Sequence, residues 1–229
     1  MRQNKRSYPN GSYDPYYSNR YASTVSVDPR LLDLVNALGR DIFINKQVLD
    51  IGCGVGLISF HIAALCGASH VVALDLDLEL ILLNLKQLRK FKHDGILRAQ
   101  LEGEDYPSLL VRRNGPVRCT NKPWNIPRLF SPDTFDSKFP FNIEFRCGDV
   151  LTSYLEVDTF DVVVCLKLVK FVKIESLRDR IIRILKPGGL LVTDWNELGN
   201  DSTHFIRWGN SQFKHESIFL FRRSTSACS

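Results

Sequence analysis

Three glycines at alternate positions form the segment of this sequence best suited to binding a ligand. Gly52, Gly54 and Gly56 follow an apolar run that contains Asp50, in the order VLDIGCGVGLISFHIA. Glycine adopts backbone angles that other residues avoid, and it lets a ligand approach the main chain. In open α/β sheets, ligands bind beyond the carboxyl ends of the strands. The glycine loop is therefore predicted to line a binding site.

A second carboxylate indicates which ligand the loop would take. Asp75 follows the next apolar run, in VVALDLD, where it can accept hydrogen bonds from ribose hydroxyls. The loop is G-x-G-x-G, not the G-x-G-x-x-G that binds the pyrophosphate of a dinucleotide. Asp50 would repel a pyrophosphate but suits a ligand with an amino group and a sulfonium. The loop therefore resembles motif I of the class I methyltransferases, which implies S-adenosylmethionine as the cofactor, and the alternative is a purely structural glycine turn.

The elements that must position this loop alternate along the chain. Apolar runs rich in β-branched residues predict strands over 47–51, 70–74, 142–146, 160–166 and 190–193. Helical stretches are predicted over 57–66, 78–91 and 174–185. Strands that alternate with helices pair in parallel through right-handed crossovers, so we predict a doubly wound, mostly parallel α/β sheet. A further strand over 217–223 is expected to be antiparallel, at the sheet edge.

Two regions interrupt this alternation. Residues 1–29 form an arm rich in Tyr and Arg, and residues 94–140 hold most of the prolines. We predict that the second region is a long insertion, partly disordered or folded as a surface loop. The predicted organisation is thus an arm over 1–29 and one domain over 30–229 that carries an insertion at about 94–140.

Composition narrows the class of protein. With 229 residues and a net charge of +5, the chain can bury a sizeable core, and its charge permits an anionic partner. It has no run of about 18 apolar residues and no apolar centre of a secretory signal near its start, so no membrane partner is expected. Six cysteines lack a C-x-x-C pair, and Cys53, Cys147 and Cys165 adjoin apolar runs. Buried, reduced thiols in an intracellular protein are favoured over a disulfide scaffold. The histidines lack metal-ligand spacing, so no metal is expected.

Two further segments resemble class I methyltransferases. FDVVVCLKL resembles their fourth strand, and ILKPGGLLV resembles the turn before their fifth. The resemblance implies that Asp149 lies near the adenine edge of S-adenosylmethionine, although a solvated carboxylate at a strand end is the alternative. The residues that it assigns to the cofactor in this domain are Asp50, Gly52, Gly54, Gly56, Asp75, Leu76, Asp149, Val150 and Leu166.

More particular motifs resemble the methylphosphate capping enzymes, the bicoid-interacting-protein family. NGSYDPYYSNR is similar to their G-N-Y-x-x-Y-Y-x-x-R, and FPFNIEFRCGDVL to their F-P-x-N-V-x-F-x-x-G-N-Y-V. VVCLKLVKFV is similar to L-C-L-S-L-T-K-W-V. That family methylates the 5′ γ-phosphate of small noncoding RNAs such as 7SK. The resemblance implies the same reaction here, a monomeric enzyme, ribonucleoprotein proteins as further partners, and a nuclear location, with the cytoplasm as the alternative.

The same resemblance assigns residues on the substrate side. Lys170 keeps the position of the family's lysine and is expected to act in catalysis with Asp194 and Asn196. Tyr13 and Arg30 are expected to contact the cofactor. The residues expected to bind RNA are Tyr16, Tyr17, Arg20, Lys167 and Lys173. The alternatives are a solvated lysine face and an arm that packs against the sheet.

Departures from the family pattern keep a second hypothesis open. Lys173 replaces the family's histidine, and LVKFVKIESL runs on without the family's G-D-x-G-L segment. VTDWNELGN stands where the family has L-E-P-Q-P-W. These changes favour an inactive family member that still binds RNA or cofactor. A small-molecule methyltransferase is a third hypothesis, but such an enzyme would have less use for the Tyr/Arg-rich arm.

Overall fold

The chain folds around one central sheet. The structure is a computed structural model, and it describes residues 39–54, 56–94, 107–111, 118–121, 138–166, 168, 172–212 and 217–225. The strands are β1 (Gln47–Ile51), β2 (His70–Asp75), β3 (Pro107–Val111), β4 (Arg118–Asn121), β5 (Ile143–Cys147), β6 (Phe160–Cys165), β7 (Leu185–Thr193), β8 (Phe205–Gln212) and β9 (Ser217–Arg223). The α-helices are α1 (Leu57–Leu65), α2 (Leu78–Asp94), α3 (Ile174–Ile184) and α4 (Asn196–Gly199), and a 3₁₀ helix spans Arg40–Ile42.

The central sheet has seven strands in the order β5-β2-β1-β6-β7-β9-β8. The first five are parallel, and β9 pairs antiparallel with both β7 and β8. In the middle of the sheet, Leu49 is in register with Val72 on one side and Val163 on the other. The predicted doubly wound, mostly parallel sheet is confirmed.

Helices cover both faces of this sheet. Because successive side chains of a strand point to opposite faces, Val48 joins one buried cluster while Leu49 and Ile51 join the other. The first cluster includes Phe60 of α1. The second contains Leu177, Ile181 and Ile184, which recur along α3 at the spacing of one helix face. The core therefore lies on both faces of the parallel strands and fixes where their ends lie.

The C-terminal part differs from the sequence prediction. β9 is antiparallel, as predicted, but it lies between β7 and β8 and not at the edge. The edge strand is β8, whose sequence FIRWGNSQ lacks a sustained apolar alternation. An edge strand pairs with the sheet through backbone hydrogen bonds along one side, and these bonds do not depend on side-chain type. The side-chain pattern of such a strand therefore gives little signal for predicting it. β7 also begins at Leu185, earlier than predicted, so that it includes the Pro-Gly-Gly segment.

Within the predicted insertion, β3 and β4 form a separate two-stranded antiparallel sheet. Most of the remaining insertion, and the whole predicted arm, lie outside the described residues. No helix in the described part of the chain is both long enough and apolar enough to cross a membrane.

Candidate functional site

The glycine loop joins the carboxyl end of β1 to α1. Gly52 and Cys53 donate their backbone N–H groups to the carbonyl of Leu74, at 2.8 and 3.1 Å, so the loop is tied to the end of β2. Gly52, Gly54 and Gly56 have φ values of 75°, 56° and 71°, in the left-handed region that favours glycine.

Neighbouring side chains add a steric reason for two of these glycines. A Cβ atom at position 52 would lie 3.0 Å from Leu168 Cδ1, and one at position 56 would lie 3.0 Å from Asn84 Oδ1. Close packing at these two positions therefore adds to the positive φ angles as a reason for glycine.

Asp75 meets the loop from the end of β2 and is 6% exposed. Its Oδ2 accepts a hydrogen bond from Gly54 N at 2.8 Å, and its Oδ1 accepts one from Asp77 N at 2.9 Å. Burial raises the pKa of Asp75, although these backbone N–H groups act to lower it. A carboxylate oxygen can accept more than one hydrogen bond. The carboxylate is thus fixed in place and can still accept hydrogen bonds from ribose hydroxyls.

A second buried carboxylate lies under the loop. Asp50 is 4% exposed, and its Oδ2 accepts a hydrogen bond from Ser59 Oγ of α1 at 2.5 Å. The thiol of Cys53 lies close to both acids: burial raises its pKa most, and the charges of Asp75 and Asp50 raise it further. Two carboxylates beside one loop favour a cationic ligand, such as one bearing an ammonium and a sulfonium. These two carboxylates therefore fit the cationic S-adenosylmethionine and do not fit an anionic pyrophosphate.

Asn84 is a site residue that sequence reasoning missed. It lies on α2, is fully buried, and donates from Nδ2 to the carbonyl of Gly54 at 2.8 Å. The sequence contains a signal for it, since Asn84 interrupts the buried face of α2 formed by Leu80, Ile81 and Leu88. A polar residue within an apolar helical stripe has to find a buried partner.

The remaining cofactor candidates surround the same edge of the sheet. Leu76 is 54% exposed, whereas Val150 and Leu166 are buried. The backbone of Gly148 donates to the carbonyl of Asp75 at 2.9 Å, which joins the segment after β5 to the site. Asp149 Oδ1 accepts a hydrogen bond from Leu151 N at 2.9 Å. That bond also suits a strand-end carboxylate in a turn, so the adenine role of Asp149 stays a prediction.

The substrate-side candidates follow β7 at this same edge. Asp194 is partly buried. It lies close to Cys165 at the end of β6: burial raises the pKa of the Cys165 thiol most, and the negative charge of Asp194 raises it further. Trp195 packs against the core cluster on the α3 face, and Asn196 begins α4. Lys173 is exposed and immediately precedes α3. Parallel β1 and β7 place these residues on the same edge as the glycine loop.

Seven of the predicted site residues lie outside the part of the chain that the structure describes: Tyr13, Tyr16, Tyr17, Arg20, Arg30, Lys167 and Lys170. Of the described segments, none brings together three His, Cys, Asp or Glu side chains that could hold a metal ion.

A hollow of about 300 Å³ lies at the end of the sheet opposite to the glycine loop, near the amino ends of β6 and β7. Lys46, Asp161, Lys186 and Arg222 are among its lining residues. Lys186 Nζ lies 3.0 Å from Asp161 Oδ1, so this pair partly neutralises the hollow. None of the predicted cofactor residues lines it, and it is separate from the glycine loop.

The cysteine prediction is correct for most of the described thiols. Cys53, Cys66 and Cys165 are buried, but Cys147 is exposed. The expectation that Cys147 is buried was wrong because β5 is the outermost parallel strand, and its last two residues lie beyond the cover of the helices.

Comparisons with known proteins agree with this site. A family model described as "Methyltransferase domain" matches residues 21–226. The human 7SK snRNA methylphosphate capping enzyme is 31% identical over 236 aligned positions, covering 89% of this chain and 32% of that protein. A probable RNA methyltransferase of Arabidopsis thaliana is 27% identical, covering 87% of this chain and 65% of that protein. The chain thus spans about a third of the human relative.

Among solved structures, an RNA methyltransferase from Salinibacter ruber in complex with S-adenosyl-L-homocysteine aligns with a TM-score of 0.54. Sequence identity between the two chains is 16%, with 88% of this chain and 95% of the other covered, so the alignment shows a shared fold.

The family match spans most of the chain, and the fold and the glycine loop agree with it. The predicted class I methyltransferase fold is confirmed, as are the predicted cofactor, S-adenosylmethionine, and the similarity to the methylphosphate capping enzymes. The chain belongs to the methyltransferase domain family.

Proposed function

We propose that this protein is an S-adenosylmethionine-dependent RNA methyltransferase that methylates the 5′ γ-phosphate of a small noncoding RNA. The observation that carries the proposal is the set of residues at the carboxyl ends of the parallel strands, where the glycine loop follows β1, Asp75 ends β2 and the segment Asp194–Asn196 follows β7. The chain also aligns over 89% of its length with a protein named as a 7SK snRNA methylphosphate capping enzyme.

The chemistry of such a reaction sets what the protein must provide. Bound S-adenosylmethionine supplies an electrophilic methyl group to an oxygen of the substrate. A γ-phosphate oxygen is already anionic at neutral pH, so the protein needs no strong general base. Its residues have to align the oxygen with the methyl group and balance the charge of the triphosphate. That requirement favours lysine, arginine and amide groups over a hydrolytic triad.

The candidate residues fit these tasks. Asn196 is partly exposed at the start of α4, so its amide can donate to a phosphate oxygen. Arg178 of α3 anchors α4, because its Nε donates to the carbonyl of Leu198 at 3.2 Å. Lys173 is exposed beside this edge, and Lys170 and Lys167 precede it in the chain. We assign the phosphate charge to these lysines and the orientation of the phosphate to the amide of Asn196. The Asp194 carboxylate would repel a phosphate, so we assign it to orienting the lysines.

The N-terminal arm completes the proposal. We propose that Tyr13 and Arg30 close over the cofactor, and that Tyr16, Tyr17 and Arg20 hold the 5′ end of the RNA by stacking and phosphate contacts. The arm, residues 1–29, would then serve the domain over 30–229 as part of its substrate site. We further propose that the enzyme acts as a monomer in the nucleus, on an RNA that belongs to a ribonucleoprotein.

The direct test is transfer of a labelled methyl group. Purified protein is incubated with S-adenosylmethionine labelled at the methyl group and with RNA bearing a 5′-triphosphate, a 5′-monophosphate or a 5′-hydroxyl. Label on the triphosphate RNA alone, released by an enzyme that hydrolyses the triphosphate bridge, is the expected result. Label that stays with the RNA after this treatment would place the methyl group on a base or ribose and contradict the proposal.

A second candidate function is supported by the altered substrate-side segments. Lys173 and the segment Asp194–Asn196 depart from the pattern of the capping enzymes, while the cofactor loop is intact. A protein with these features could bind RNA and cofactor without transferring the methyl group. Binding of S-adenosylhomocysteine and of RNA, with no transfer to any of the three RNAs, would favour this function over the first.

RNA binding should weaken steeply as salt is added. The chain has a net charge of +5, and each phosphate that a lysine or arginine contacts releases counterions. With about three such contacts, the logarithm of the binding constant should fall with the logarithm of salt concentration with a slope of about −2 for a single strand. Fluorescence anisotropy of a labelled 5′-triphosphate RNA at several salt concentrations measures this slope. A slope near zero would argue against an RNA substrate.

A further inference from the structure

A side chain from α2 holds the middle of the glycine loop. Asn84 Nδ2 donates to the carbonyl of Gly54 at 2.8 Å, and Gly54 N donates to Asp75 Oδ2 at 2.8 Å. Both backbone polar groups of Gly54 are therefore bonded to side chains of other elements. Gly54 itself is buried, so its carbonyl depends on the protein for a donor.

We propose that Asn84 is a positioning residue for the cofactor, which keeps the glycine loop and the Asp75 carboxylate in their binding geometry. Without the Asn84 amide, the Gly54 carbonyl would keep only a long contact from Cys53 Sγ, at 4.0 Å, and the loop would gain by turning this carbonyl toward water. The Gly54 N–H and carbonyl belong to the two peptide groups that meet at its Cα, so the two hydrogen bonds together fix the backbone angles of Gly54. Losing the bond from Asn84 would release this restraint on the loop beside the Asp75 carboxylate. This inference rests on the cofactor site of the proposed function.

The other atom of the amide supports a role beyond packing. Among the described residues, Asn84 Oδ1 has no hydrogen-bond partner. A buried amide oxygen without a partner lowers stability, so an apolar side chain of similar size would serve packing better. What the amide adds at this position is its donated bond to the loop.

Asn142 offers a matched control in the same chain. It is 4% exposed, and within the described segments its Oδ1 likewise has no partner. Its Nδ2 donates to the carbonyls of Ala63, near the end of α1, and of Ala68, in the connection to β2, at 2.9 and 3.1 Å and away from the loop. Asn142 therefore shares the burial and the chemistry of Asn84 but not its contact with the cofactor site.

The test compares Asn84→Ala with Asn142→Ala by calorimetric titration with S-adenosylhomocysteine and by urea unfolding. Both variants should unfold at lower urea concentrations than the wild type. Only Asn84→Ala should bind the ligand more weakly, by about tenfold, which is the size of one hydrogen bond. Affinity within twofold of the wild type in Asn84→Ala, or an equal loss in Asn142→Ala, would overturn the positioning role.

Hydrogen exchange on the wild-type protein keeps the inference testable if Asn84→Ala does not fold. The Gly54 amide should exchange at least about tenfold more slowly than an unstructured peptide before any ligand is added, because the loop is already held. Exchange at the unstructured rate would overturn the inference. If the wild type binds no S-adenosylhomocysteine, the cofactor site fails as well, whereas intact wild-type binding with unchanged affinity in the variant removes the role of Asn84 alone.

Discussion

Replacing Asp75 with alanine should weaken the binding of S-adenosylhomocysteine by about a hundredfold or more. In the proposed site, the carboxylate accepts hydrogen bonds from the two ribose hydroxyls, and a bond to a charged acceptor contributes about 1.5–3 kcal/mol. Two such bonds correspond to a factor of roughly a hundred or more in the dissociation constant. Calorimetric titration of the folded variant measures this loss directly.

Asp77→Ala is the matched control for this substitution. Asp77 lies two residues away, and its Oδ1 accepts a hydrogen bond from Glu79 N at 2.9 Å at the start of α2. Its removal should cost about 1 kcal/mol of stability, as the loss of a helix cap does, with little change in ligand affinity. The bond from Asp77 N to Asp75 does not need the Asp77 side chain. If Asp75→Ala binds S-adenosylhomocysteine with an affinity within threefold of that of the wild type, the assigned cofactor site is refuted.

The same assignment fixes how cofactor binding should respond to pH. Burial raises the pKa of Asp75, more than its bonds from Asp77 N and Gly54 N lower it. In the folded protein the carboxyl therefore takes up a proton at a higher pH than in the unfolded chain. Its contribution to stability is full below the unfolded pKa and is lost as pH rises through the folded pKa.

Ligand binding should follow the opposite trend, because the ribose hydroxyls donate to the ionised carboxylate. Affinity for S-adenosylhomocysteine should fall as the pH is lowered through the raised pKa of Asp75. Asp75→Asn cannot ionise, so its weaker affinity should lack this component. Titrations of both proteins across acidic pH values make the comparison. A wild-type profile that runs parallel to that of Asp75→Asn would mean that another group controls binding.

The features predicted well from the sequence are those whose causes are local. Glycines at alternate positions allow the positive φ angles of the loop, and apolar runs rich in β-branched residues mark the parallel strands. The location of Asp75 beside the glycine loop follows from its position at the end of β2 alone. For these features, a short segment contains both the pattern and the physical reason for it.

The features that were missed depend on residues far apart in the sequence. β8 is held at the sheet edge by backbone pairing with β9, which its own polar sequence does not reveal. Asn84 belongs to the site only because α2 packs beneath the loop, thirty residues from Gly54. Cys147 adjoins an apolar strand, but that strand is at the edge of the sheet. Tertiary packing decides each of these cases.

Replacing Lys170 with alanine should reduce turnover on 5′-triphosphate RNA by about a hundredfold and leave the affinity for S-adenosylhomocysteine unchanged. A single donor that stabilises developing or concentrated charge at a reacting centre typically contributes a factor of this size. Leu168, two residues before Lys170, packs against Gly52 of the cofactor loop. The chain beyond β6 thus passes beside the cofactor site, which supports a lysine from this segment as the phosphate contact.

Lys46→Ala is the control for the loss of a positive charge, because Lys46 precedes β1, at the end of the sheet opposite to the glycine loop. It should keep both turnover and ligand affinity, while Lys170→Arg should recover part of the lost turnover by restoring the charge. Equal turnover in Lys170→Ala and the wild type would remove Lys170 from the mechanism. The phosphate charge would then have to be balanced by Lys173 or by the arm. Loss of ligand affinity together with turnover would instead place Lys170 in the cofactor site.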